Sequence, residues 1–247
     1  VGLTPTIHTR KASDGIRWIR SGLRLFGRQP LSILTFVLMG MIVIWTISLL
    51  PLVGQAFALI LMPAAWVGML GVCRDVDRGK APGPHCYTDP LREPFTRLHL
   101  IKIGVVSAIA AGLLTTGFAM LPSGTGKDAA EHLTHAQTAW VLGSLVIWVP
   151  LQMAIWFAPP LVAWHGMTAG KAMFFSFFTC WRNRWPMLVY FLSLIALATL
   201  LVLALGAMVD AFSVGETTVG MVLAPLSMVV GAATQTCAYA MYRDIVE

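Results

Sequence analysis

Six apolar stretches dominate the chain, at residues 31–50, 52–72, 103–121, 139–163, 187–209 and 217–242, and none of them holds an Asp, Glu, Lys, Arg or His. Each is close to or above the length of about 20 residues that a helix needs to cross the hydrocarbon core of a bilayer. Residues 31–72 carry no charge at all. As one helix they would run about 63 Å, twice the hydrocarbon thickness. The chain must therefore reverse, and Pro51-Leu52-Val53-Gly54 is where helix breakers gather. The pattern predicts an all-α, polytopic integral membrane protein with six transmembrane helices arranged as three helix hairpins. Residues 1–30 form an N-terminal segment and 31–247 the membrane domain.

Before the first span the period changes. Over residues 16–28, Arg17, Arg20, Arg24 and Arg28 fall within about 80° of one another at 100° per residue, while Ile16, Ile19, Leu23 and Phe26 lie on another side. This predicts a basic amphipathic helix at an anionic lipid surface. A second surface helix is expected over 168–185, where Phe174, Phe175, Phe177, Phe178 and Trp181 crowd together. Its wide apolar face suits docking against protein as well as lipid.

Composition agrees with the pattern. Of the 247 residues, 57% are hydrophobic and 11% charged, with a mean hydropathy of +0.76. Soluble domains carry about 25% charged residues, so a water-soluble globule is excluded, and abundant apolar burial excludes disorder. The net charge of +6 would suggest nucleic acid in a soluble protein. Here the basic residues flank apolar runs, so topology and anionic phospholipid explain them and no nucleic-acid partner is expected. Sixteen of the 17 Lys and Arg residues fall in the N-terminal segment, the second and fourth connections and the C-terminus, leaving Lys127 alone on the other side. The positive-inside rule then places both termini in the cytoplasm. Trp140 and Trp164, 24 residues apart, are expected near opposite interfaces, with Trp181 and Trp185 in the inner aromatic belt. No apolar segment of signal-peptide type occurs in the first 30 residues.

Each hairpin is preceded by Arg-x-Pro: Arg28-Gln29-Pro30, Arg92-Glu93-Pro94 and Arg184-Trp185-Pro186. Proline suits a helix start because its missing N–H has no partner there, and the arginines Arg28, Arg92 and Arg184 can reach phosphate headgroups. Proline recurs in the second helix of each hairpin, as Pro63, then Pro150, Pro159 and Pro160, then Pro225. This suggests a threefold parallel repeat.

Candidate chemistry is sparse. Spans without ionisable residues argue against proton coupling, ion conduction and voltage sensing, and no catalytic, cofactor or metal residues are assigned. In the 122–138 loop, which also holds Glu131, His132 and His135 form an i, i+3 pair that could share a metal if helical, but no third ligand is obvious although Asp128 is near in sequence. His99 and His165 are expected at the same ends of antiparallel spans and could approach one another. Ser123-Gly124-Thr125-Gly126-Lys127 lacks the full phosphate-loop spacing. Cys73, Cys86, Cys180 and Cys237 show no CxxC spacing and predict no disulfide framework. Ala108 with Gly112 and Ser227 with Gly231 suggest close helix contacts, and Gln152, Thr234, Gln235 and Thr236 suggest interhelical hydrogen bonds.

The stretch Ala158-Pro159-Pro160-Leu161-Val162-Ala163-Trp164-His165-Gly166-Met167, with Gly170-Lys171-Ala172 and Cys180-Trp181-Arg182-Asn183, resembles a family of multi-pass inner-membrane proteins of proteobacteria, mainly of the beta class, whose function is not established. Leu23-Arg24-Leu25-Phe26-Gly27-Arg28-Gln29-Pro30 and Cys73-Arg74 share the resemblance, which covers most of the chain. It implies bacterial inner-membrane placement and supplies no catalytic residues. The expected function is a non-enzymatic accessory, scaffold or assembly subunit of a larger membrane complex, contacting a membrane-protein partner through apolar helix faces. The alternative is a small-solute or lipid transporter using the proline-broken helices. A third reading, a lipid-modifying enzyme, would require His99, His165 and Arg92 to converge.

Overall fold

The computed structural model describes residues 7–51, 53–121, 135–212 and 216–246. They form ten helices and no strand: α1 (Asp14–Arg28), α2 (Pro30–Ser48), α3 (Gly54–Asp77), α4 (His85–Arg92), α5 (Pro94–Ala119), α6 (His135–Trp156), α7 (Ala158–His165), α8 (Ala169–Arg182), α9 (Arg184–Phe212) and α10 (Glu216–Val246). Five helical stretches among the described residues are long and apolar enough to cross a membrane: Pro30–Ser48, Gly54–Asp77, Pro94–Ala119, His135–His165 and Arg184–Ala204. The sixth expected span coincides with α10, a continuous helix.

The helix ends follow the local chemistry. Pro30 and Pro94 are the first residues of α2 and α5, and Pro186 lies in the first turn of α9. The reversal between α2 and α3 falls at Pro51, as the breaker cluster predicts. The short helix α4 is not anticipated by hydropathy, and α5 begins nine residues before the expected span at 103.

The chain divides into two compact units. The first comprises residues 1–43, 65–90 and 179–247. Its core is built from Trp18, Ile33, Leu70, Tyr190, Tyr239 and Tyr242, each 2% exposed or less. The second comprises residues 44–64 and 91–178, with Leu100, Ile103, Phe157, Leu161 and Val162 in its core.

In the second unit the backbone break between α6 and α7 is closed by one side chain. Pro159 and Pro160 cannot donate backbone hydrogen bonds. The Phe157 N–H donates to Ser176 Oγ at 2.9 Å, and the Ser176 hydroxyl donates to the Met153 carbonyl at 2.7 Å. Ser176 is fully buried, so α8 bridges the Phe157 N–H and the Met153 carbonyl, the pair that an unbroken helix would join directly.

The small residues that matter differ from those the motif spacing suggests. A Cβ at Gly112 or Gly231 would meet nothing within 4 Å, whereas one at Gly104 would stand 2.0 Å from the Ile60 carbonyl oxygen of α3. Spacing finds small residues, but only packing shows which one faces a neighbouring backbone. Thr234 and Thr236 likewise bond within their own helix, to the Val230 and Ala233 carbonyls, rather than across helices.

All four cysteines are buried thiols. The 122–134 segment, with Glu131, His132 and the phosphate-loop-like Ser123–Lys127 stretch, lies outside the described residues. His135 opens α6 and is exposed.

Gly104→Val is expected to destabilise the protein by about 1–3 kcal/mol, the range for forcing extra methyls into a packed contact. Gly112→Val should be close to neutral. Melting temperatures of the two variants in the same detergent provide the check.

Candidate functional site

The polar residues of the first unit concentrate around α1, and the sequence of α1 explains how it is held. Gly15, Trp18, Gly22 and Leu25 form a stripe at helical spacing, and all four are buried. The two glycines bring backbones together. A Cβ at Gly15 would lie 2.4 Å from the Pro186 carbonyl oxygen of α9, and one at Gly22 would lie 2.4 Å from Cys237 Cα of α10. Trp18 fills the space between them, with its ring edge-on to Tyr190 at 6.3 Å.

At 100° per residue the buried stripe, the apolar stripe of Ile16, Ile19, Leu23 and Phe26, and the basic stripe occupy three separate faces of α1. The apolar stripe stays accessible, with Ile16 44% and Leu23 47% exposed. Docking therefore uses a small-residue face that a two-sided amphipathic pattern does not reveal. The helix α8 follows the same rule. Ala169, Ala172, Ser176, Thr179 and Cys180 are buried, while Phe174, Phe178 and Trp181 are exposed.

Asp244, near the end of α10, holds this arrangement together. Its Oδ2 accepts the Trp18 Nε1–H at 2.9 Å and forms ion pairs with Arg10 Nε at 3.1 Å and Arg17 Nη2 at 3.2 Å. Arg10 Nε also donates to the Asp244 carbonyl oxygen, and the His8 N–H donates to the Ile245 carbonyl oxygen. On its other side this strap meets Asn183, which is fully buried. The Arg10 N–H donates to Asn183 Oδ1 at 2.9 Å, and Asn183 Nδ2 donates to the His8 carbonyl.

A second carboxylate, Asp77 at the end of α3, gathers another basic cluster. Arg28 lies 3.5 Å from Asp77 Oδ1, while Arg243 and the Tyr239 hydroxyl bond its Oδ2. With Ser21 and Arg24 these groups line a cavity of about 160 Å³. On the opposite flank of α1 lies an apolar cavity of about 510 Å³, lined by Ile19, Leu23, Leu197, Leu201, Val230 and Cys237.

The predicted interface residues thus divide. Arg17 and Arg28 have acidic partners within the protein. Arg20 and Arg24 are exposed and have no ion-pair partner among the described residues. Arg184 stacks its guanidinium over the rings of Trp181 and Trp185, at 5.5 and 5.7 Å from their centroids, and both rings are more than half exposed. Arg92 is exposed in the second unit. There, Trp140 Nε1 donates to the Leu114 carbonyl at 3.4 Å, and Trp164 is half-buried. His99 is buried, and its Nδ1 accepts the Ala169 N–H at the start of α8 at 3.2 Å. That bond makes His99 a helix-positioning acceptor.

Sequence reasoning misses one cluster. Asp75 in the last turns of α3 meets His85 and Cys86 at the start of α4. Nε2 of His85 lies 2.8 Å from Asp75 Oδ2, and Cys86 Sγ lies 3.3 Å from the same oxygen and 3.7 Å from Nε2. The signal available was the adjacent His85-Cys86 pair, since the pairwise cysteine spacing used above does not test for mixed donors. Burial, reinforced by the bond to Asp75, pushes the Cys86 thiol up to about 11.

Asp244→Ala removes both the Trp18 acceptor and the counter-charge of Arg10 and Arg17. A loss of about 1–3 kcal/mol is expected from the stranded indole N–H and its charged neighbours, with faster deuterium uptake across residues 8–28. Arg17→Ala should cost less than about 1 kcal/mol, because its side chain is 55% exposed and screened by water.

Among known proteins, a probable inner membrane protein of Burkholderia thailandensis is 33% identical over 247 aligned positions, covering 94% of this chain and 90% of the relative. No family profile and no solved structure matches the chain.

Proposed function

We propose, for a chain that belongs to the same family of bacterial inner-membrane proteins as its Burkholderia relative, a non-enzymatic role as an accessory, scaffold or assembly subunit of a larger membrane complex. In this reading the chain spans the membrane six times as three hairpins with both termini in the cytoplasm, and α1 lies at the inner interface on anionic phospholipid.

The observation that carries the reading is the fixed orientation of α1. Its Gly15, Trp18, Gly22 and Leu25 face is used against the chain's own α9 and α10. A basic face and an apolar face are left outward. An interfacial helix with free rotation would place its best apolar face in lipid; a helix locked by close backbone contacts presents whatever remains. Arg24, with Arg28 and Arg243 paired to Asp77, leaves the lining of the small polar cavity net positive, which suits a phosphate headgroup. The exposed apolar residues of α1 and α8 supply area for a protein partner.

Extraction in native lipid particles is expected to recover the chain with a stoichiometric membrane partner, cross-linked from photoreactive positions at Ile16 or Leu23. Recovery of the chain alone in both lipid particles and mild detergent would overturn the reading. Lys and Arg near an anionic surface contribute about 1 kcal/mol each. In detergent, the Arg20→Gln/Arg24→Gln double variant should therefore bind short-chain phosphatidylglycerol about tenfold more weakly or worse, with unchanged binding to short-chain phosphatidylcholine.

The apolar cavity flanking α1 favours a second reading, carriage of a lipid through its acyl chain. Ala198 also lines the cavity, and filling it with Ala198→Trp should then abolish transfer of labelled phospholipid in reconstituted vesicles, whereas under the accessory reading there is no transfer to lose.

A further inference from the structure

The first unit holds a third polar cluster, built by the packing of α4 on α3. Gly68, Gly71 and Asp75 lie on one stripe of α3 at i, i+3 and i+7. Tyr87, Cys86 and His85 of α4 sit against them in reverse order. A Cβ at Gly68 would stand 2.2 Å from the Tyr87 ring, and one at Gly71 would touch Cys86 Cβ at 3.4 Å. The Tyr87 hydroxyl donates to the Phe36 carbonyl at 2.7 Å, which pins α4 in register. The connecting turn is fixed as well, since Lys80 N–H donates to the Asp75 carbonyl at 2.8 Å and Gly79 has φ +70.

This framework brings three donors of different chemistry to one point: Asp75 Oδ2, His85 Nε2 and Cys86 Sγ, with separations of 2.8, 3.3 and 3.7 Å. A catalytic relay would use opposite nitrogens of the imidazole, one toward the carboxylate and the other toward the thiol. Here both partners face Nε2, so the geometry is convergent. Tetrahedral zinc, with Zn–S about 2.3 Å and Zn–N and Zn–O about 2.0–2.2 Å, sets its donors roughly 3.3–3.6 Å apart. The two sulfur separations already match to within a few tenths of an ångström. The nitrogen–oxygen pair needs to open by about 0.5 Å, a motion available to a His85 side chain that is 53% exposed.

We propose that Asp75, His85 and Cys86 bind one divalent transition-metal ion of the zinc class through Oδ2, Nε2 and Sγ. The mixed oxygen, nitrogen and sulfur set suits zinc over magnesium or calcium, which take oxygen donors. Three protein ligands leave the fourth position to water or to a donor brought by a partner. Binding releases the thiol proton to solvent as the sulfur–metal bond forms. The site is independent of lipid binding and of the accessory reading.

The test uses the full-length chain in detergent, stripped with chelator and titrated with Co²⁺. The expected result is one equivalent bound, with a thiolate-to-cobalt charge-transfer band in the near ultraviolet and the intense visible bands of a tetrahedral site, displaced by Zn²⁺. Cys86→Ser should abolish the charge-transfer band. Asp75→Asn and His85→Gln should weaken zinc binding by at least about 100-fold, beyond what loss of an outer-shell partner costs. Helical circular dichroism and the melting temperature identify any variant that fails to fold. The titration of the unsubstituted protein is decisive without the variants. Absence of the band there overturns the proposal, and so does a band that persists in folded Cys86→Ser, because the thiolate would then be another cysteine.

Discussion

Asp244 draws together parts of the chain that are more than 200 residues apart. Its carboxylate receives the indole N–H of Trp18 and two guanidinium groups, while its own carbonyl receives Arg10. The same turn of α10 binds the His8 N–H through Ile245. The carboxylate is half-buried, with its charge matched by Arg10 and Arg17 and its Oδ2 occupied by the indole N–H. With that acceptor in place, α1 can lie on α9 and α10 closely enough for Gly15 and Gly22 to be needed. The direction of every other α1 side chain follows: Leu25 inward, Arg20 and Arg24 outward, Ile19 and Leu23 along the apolar cavity.

Elsewhere the governing constraint is satisfaction of the backbone in apolar surroundings, where an unpaired group has no water to turn to. Where α6 ends ahead of Pro159-Pro160, Ser176 bridges the Phe157 N–H and the Met153 carbonyl with one hydroxyl acting as acceptor and donor. Thr234 and Thr236 discharge their hydroxyls on their own helix. These three hydroxyls are thus spent on nearby backbone groups of the chain itself.

Much of the architecture was legible from periodicity and charge. The apolar stretches, the reversal at Pro51, the proline helix starts and the amphipathic helix ahead of α2 all coincide with observed helices. The functional groups were less legible. Arg17 and Arg28 belong to a basic stripe in the sequence, yet each has an acidic partner brought by folding, which leaves Arg20 and Arg24 as the residues of the stripe without an ion-pair partner among the described residues. The role of His99 as acceptor for the Ala169 N–H is not legible in the sequence, since the two residues are 70 positions apart. The Asp75, His85 and Cys86 cluster escaped because its members become neighbours only when α4 settles into the glycine stripe of α3.

The sequence by itself determined that this is a helical membrane chain with charge confined to the ends and connections of its apolar helices. Those properties come from local periodicity and transfer free energies, which depend on each residue and its near neighbours along the helix. The tertiary structure alone decided which face of α1 is used internally, which glycines carry backbone contact and which donors meet. Those depend on the approach of backbones distant in sequence: Gly22 and Gly231 are both glycines in helices, and only at Gly22 would an added Cβ meet another part of the chain within 4 Å.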